Sequence, residues 1–125
     1  MRTFIEVKTQ FDALHKYEKA PEEVAFLKYP HRHMFYVTLK IEVFYLDREL
    51  EFFMVQKELG KVIDKYIKKN GMDSCEMMAE HIIRKFEKKN PENILLMYDK
   101  RSCQVTVSED NENAGVIDNF DEVRI

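Results

Sequence analysis

Apolar and polar residues alternate from the start of the chain, where Thr3, Ile5, Val7, Thr9, Phe11, Ala13 and His15 share one parity. A period of two marks a half-buried strand, because successive side chains point to opposite faces. A polar stretch bounded by prolines runs from Lys16 to Pro30, and within it Pro21 to Leu27 fits one helical turn with Pro at its first position. A longer alternation follows: His33, Phe35, Val37, Leu39, Ile41, Val43 and Tyr45 lie on one face, and Thr38, Lys40 and Glu42 on the other. Asp47-Arg48 stands where a hairpin would turn, so Arg48 to Phe53 is expected to return as a short partner strand.

The period then changes. Val55, Leu59, Val62, Ile63, Tyr66 and Ile67 recur at helical spacing, with Lys57, Glu58, Lys61, Asp64 and Lys65 on the outer face. Asn70-Gly71 would end this helix, since glycine tolerates the left-handed conformation found there. A second helix is expected to open at Asp73, with Glu76 three residues on as an acidic capping box. Its buried stripe would be Cys75, Met78, Ala79, Ile82 and Phe86, and Asn90-Pro91 breaks it. Ile94 to Tyr98 and Ser102 to Glu109 predict a final hairpin across Asp99-Lys100-Arg101. The acidic stretch from 110 to 125 has little pattern and is expected to be loosely held. The sum is a single α+β domain over residues 1–125: antiparallel strands, with two helices segregated on one face of the sheet.

Composition narrows the class further. A chain of 125 residues, 45% of them hydrophobic, can bury one core but not two. A net charge of −3 argues against a nucleic-acid surface, which normally shows as a basic excess. No apolar run approaches the roughly 20 residues of a membrane span, and the alternating N-terminus lacks the solid apolar block of a signal peptide. Two cysteines are too few for a disulfide framework, which makes a reducing cytoplasm the default compartment.

The chemistry concentrates in the histidines. His31 and His33 are two apart, so on a strand both share the face of Phe35 and Val37, and His15 ends the first alternation with inward parity. If the two strands pair antiparallel, all three converge at one end of the sheet. Three protein ligands with a fourth position left open is the usual catalytic zinc set. A single histidine at a strand end is commonly just a half-exposed residue, but three of the chain's four with one parity favour the metal. His81 lies beside the stripe of the second helix and reads as a boundary residue. Cys75, in the first turn of that helix, is a possible reactive thiol but fits core packing better, as does Cys103. Glu109 continues the inward parity of Cys103, Val105 and Val107, and two readings stand: a solvated strand end, or a carboxylate meeting a cation or a donor-rich ligand.

These motifs together resemble the 6-pyruvoyl-tetrahydropterin synthase and 6-carboxytetrahydropterin synthase family, across roughly residues 3 to 115. Phe11-Asp12-Ala13-Leu14-His15 is similar to its F-x-A-A-H, and His31-Arg32-His33 to its H-G-H. Glu51-Phe52-Phe53 stands at its acidic-Phe pair, Asp73 to Ala79 resembles its P-T-x-E-x-x-A, and Val105 to Glu109 its last strand. The resemblance implies the T-fold, a four-stranded antiparallel sheet in ββααββ order whose copies close into a trimer-based barrel, in some cases a hexamer. It implies zinc on His15, His31 and His33, with Glu109, Ser74, Cys75 and Glu76 against a pterin- or purine-like small molecule. The implied activity is a lyase acting on a dihydroneopterin-triphosphate-like substrate, as in tetrahydropterin or 7-deazaguanine (queuosine-type) synthesis. The chain also departs from the family. Phe26 to Pro30 holds no thiol where the family has its catalytic cysteine, residues 63 to 73 hold no histidine for its Asp-His pair, and Arg32 replaces a glycine. Cys75, Tyr29 and His81 are the stand-ins for acid-base work. The alternative is a T-fold protein without that catalysis, which binds or sequesters a nucleotide-like ligand.

Overall fold

The computed structural model describes residues 1–69, 73–87 and 101–123. Its strands β1 (Thr3–His15), β2 (His31–Val43), β3 (Cys103–Glu109) and β4 (Ala114–Asp118) form one antiparallel sheet in the order β1-β2-β3-β4. The helices are α1 (Phe52–Lys69), α2 (Cys75–Phe86) and the short α3 (Phe120–Val123), and a 3-10 segment at Glu22–Lys28 joins β1 to β2. The class is mixed α+β.

Both alternating segments became strands of 13 residues, paired end to end from Thr3↔Val43 to His15↔His31. Phe35, Val37, Leu39 and Ile41 are buried on the inward parity of β2, and Val105 and Val107 continue that layer on β3. The stripes of α1 (Val55, Leu59, Ile63, Tyr66) and α2 (Cys75, Met78, Ala79, Ile82, Ile83, Phe86) join them in one apolar cluster. Burying each such large side chain contributes about 1.5–3 kcal/mol relative to exposure, so the register that faces them inward is strongly specified. α1 packs over β1, while α2 packs over β3 and β4.

Three expectations are corrected here. Arg48 to Phe53 is not a strand: residues 44–51 form bends and a turn, with Arg48 at φ 55°, and α1 begins at Phe52. Glu51 decides this by capping the helix, its carboxylate accepting from the backbone N–H of Phe53 at 2.8 Å and of Met54 at 3.2 Å. Glu49 holds the loop inward through Arg101 Nη2 at 2.7 Å, a pair whose side chains are only 8% and 6% exposed. The α2 cap is Ser74 and not Asp73: its hydroxyl accepts from the Met77 N–H at 3.1 Å, and Asp73 instead accepts from the Tyr66 hydroxyl.

Residues 110–123 are not loosely held. Asp110 and Asn111 take positive φ (51° and 61°), and Glu112 N–H donates to the Glu109 carbonyl at 2.9 Å, which makes a tight hairpin turn of the primed type leading into β4. Beyond β4, buried Asn119 accepts from the Cys103 N–H at 2.7 Å, and Phe120 packs 5.4 Å from Phe4. Among the described residues β3 therefore pairs with β2 and β4. The expected strand Ile94–Tyr98, the turn at Asp99-Lys100 and the Asn70-Gly71 helix end lie outside the described residues.

Candidate metal centre

The β1–β2 register makes His15 and His31 direct cross-strand partners and sets His33 opposite Ala13, one step further along. The three rings meet at the end of the sheet. Their centroids lie 4.4 Å (His15–His31), 5.1 Å (His15–His33) and 5.0 Å (His31–His33) apart. One ring nitrogen from each lies within 4.8 Å of the others. Phe35 floors the group, its ring 5.2 Å from that of His15 and stacked at 5.3 Å on Phe11.

Each ring already uses one nitrogen on an oxygen. His31 Nδ1 lies 2.8 Å from the Tyr29 carbonyl, His33 Nδ1 2.6 Å from Asp110 Oδ2, and His15 Nδ1 3.3 Å from the Asp73 carbonyl. Carbonyl and carboxylate oxygens only accept, so Nδ1 is the donor in all three contacts, and Nε2 of each ring is left for a further partner. Outer partners of this kind orient metal-binding histidines. The bond from His33, with a second from the Met34 N–H, holds the Asp110 carboxyl below the usual carboxylate range. Burial pushes the His15 imidazole down, partly offset by the Asp73 carbonyl and the Glu109 carboxylate.

His15 Nε2 is buried and has no hydrogen-bond partner. Glu109 Oε1 is 3.3 Å away, but a carboxylate oxygen offers only lone pairs, which leaves that nitrogen unsatisfied. Three imidazoles that each bring one ring nitrogen within 4.8 Å of the others form a set able to hold a metal ion. Imidazole ligands suit zinc, copper, iron and nickel alike.

Beside the cluster opens a cavity of about 830 Å³, lined among others by His15, His31, Ser74, Cys75, Glu76 and Glu109. The start of α2 forms one wall, and Gly115 of β4 lets it approach closely: a Cβ there would lie 2.6 Å from the Glu76 nitrogen. The sequence candidates for substrate contact thus share this wall with two of the histidines. Cys75 is not the activated thiol that its place in a first helical turn suggested. Burial, then the charges of Glu109 and Glu76, pushes it up to about 12, and a hydrogen bond to Glu109 adds to the shift. Tyr29 and His81 are not among the described lining residues; the Tyr29 side chain is exposed, and His81 packs its ring 4.5 Å from Tyr66. Sequence reasoning missed Asp110 and the two carbonyls. Only Asp110 left a trace, as an acidic residue directly after Glu109.

The fold and site together define an α+β protein with a three-histidine cluster at one end of an antiparallel sheet. No known protein-family model matches the chain, and no curated protein sequence matches it. Among the described residues, no helix is long and apolar enough to cross a membrane.

Proposed function

We propose that this protein binds zinc through the Nε2 atoms of His15, His31 and His33 and acts as a pterin-synthase-like lyase on a dihydroneopterin-triphosphate-like substrate. The observation that carries the metal is the arrangement of the three rings: each turns Nδ1 to an oxygen, which leaves Nε2 for an ion, and the Nε2 of His15 is buried without a hydrogen-bond partner. Bound zinc would supply Lewis acidity, polarising substrate side-chain oxygens and easing proton shifts on the neighbouring carbon. The resemblance to the tetrahydropterin synthases supports the substrate class, and the cavity is large enough for a flat bicyclic ring with a phosphorylated side chain. Glu109 would accept from the guanidine-like edge of the ring, while Ser74, Cys75 and Glu76 form the wall against it.

One observation favours a second reading, in which the protein binds such a heterocycle without turning it over. The only thiol on the cavity wall among the described residues is pushed up to about 12, and the other two acid-base candidates do not line the cavity. Incubating the zinc-loaded protein with dihydroneopterin triphosphate separates the two. Product formation supports the lyase; bound but unchanged substrate sinks it in favour of the binding protein. Elemental analysis tests the metal beneath both readings: wild type should carry about one zinc per chain and His31→Ala much less. Equal zinc in both would end the metal assignment.

A further inference from the structure

We infer that Glu109 is the fourth metal ligand of the ligand-free protein, so that the chain itself closes the position an open catalytic site would leave to solvent. The inference rests on the metal reading above and adds a residue to it. A tetrahedral centre with arms of about 2.0–2.1 Å to nitrogen and oxygen has edges of roughly 3.3–3.4 Å between ligand atoms. His15 Nε2 and Glu109 Oε1 are 3.3 Å apart, and His33 Nε2 and Glu109 Oε2 are 3.9 Å apart. Oε1 therefore stands at an edge length from His15, and the second carboxylate oxygen lies about half an ångström beyond that length from His33.

The ring orientations point the same way. His15 and His33 each turn Nδ1 to an oxygen and Nε2 toward Glu109, so an ion held by either Nε2 has this carboxylate beside it. The sheet fixes this placement. Glu109 ends β3 opposite Phe35, and His33 sits two residues before Phe35 on the same face of β2. Cys75 lines the cavity wall beside the same carboxylate. When a heterocycle enters, the same carboxylate is the group its guanidine-like edge would draw away, so the fourth position opens only as a ligand arrives.

Cobalt(II) in place of zinc makes the coordination visible. The cobalt-loaded wild type and Glu109→Gln are each titrated with azide by visible absorption, and zinc affinity is measured by chelator competition. The expected result is a wild-type spectrum that azide leaves unchanged and a variant spectrum that azide shifts. Zinc affinity in the variant should fall at least the roughly tenfold that loss of an outer-shell partner already causes. A wild-type spectrum that responds to azide as the variant's does, or equal zinc affinities, overturns the inference and leaves the three-histidine site standing. Failure of the wild type to bind cobalt or zinc overturns the metal reading itself. The wild-type azide titration decides the matter even if the variant folds poorly.

Discussion

At the scale of single residues, the site is a matter of which atom carries a proton. The three histidines could be read from parity, because a strand period of two sends residues 15, 31 and 33 to one face once the strands pair. Their tautomers could not, since the partners that set them are two backbone carbonyls and a carboxylate 77 positions away from His33 in the chain. The same limit applies to Cys75. Its place in a first helical turn suggests a lowered pKa, but burial and the two neighbouring carboxylates reverse the sign and push it up to about 12. At pH 8 a thiol of that kind is ionised in only about one molecule in ten thousand. Metal-free native protein should therefore react very slowly with a disulfide reagent at pH 8, and reaction should speed up about tenfold per pH unit. The unfolded chain should release two equivalents at once. Rapid labelling of Cys75 in the native protein, located by mass spectrometry, would show that the thiol is available for chemistry after all.

At the scale of elements, long periodic segments were legible and short, locally capped ones were not. β1, β2 and the faces of α1 and α2 follow the hydrophobic pattern almost residue for residue, because burial on one face dominates each of them. The segment 48–53 has strand-like composition, but Glu51 caps α1 and the Glu49–Arg101 pair ties the loop down. β4 escaped notice because its turn residues, Asp110 and Asn111, looked like the start of an acidic tail, although Asp and Asn are the non-glycine residues that best tolerate positive φ. Two glycines test how tightly these elements fit. A Cβ on Gly115 would lie 2.6 Å from the Glu76 nitrogen and 2.9 Å from the Cys75 carbonyl carbon, both backbone, so Gly115→Ala should destabilise by about 1–3 kcal/mol. Gly60, inside α1 with nothing within 4 Å of its Cβ position, should give the opposite sign, with Gly60→Ala stabilising by about 0.5–1 kcal/mol. Urea unfolding of both variants checks the pair. A neutral Gly115→Ala would mean that β4 does not press on the start of α2.

At the scale of the whole molecule, the open question is what covers the sheet's edges. β1 is an edge strand of 13 residues, bonded only on its β2 side among the described residues, and β4 is the other edge with five. A long unpaired edge is a template for pairing with another chain unless something blocks it. The alternating charges Glu6, Lys8 and Asp12 on β1 guard against indiscriminate pairing, and the Gln56 side-chain amide already donates to the Lys8 carbonyl at 2.7 Å. Near the far end of β2, Phe44, Tyr45, Leu46, Phe52, Phe53 and Met54 are all more than half exposed, a concentration of apolar surface unusual for an isolated chain. The resemblance to the tetrahydropterin synthases supports a specific answer, in which copies of this chain join edge to edge in threes. Light scattering coupled to size exclusion should then give a mass of three or six times 15.1 kDa at micromolar concentration. Because the histidines sit at the β1 end that meets the start of β2, joining copies along that edge would bring a neighbour close to the three-histidine cluster. A 15.1 kDa species at that concentration would refute the edge-to-edge assembly.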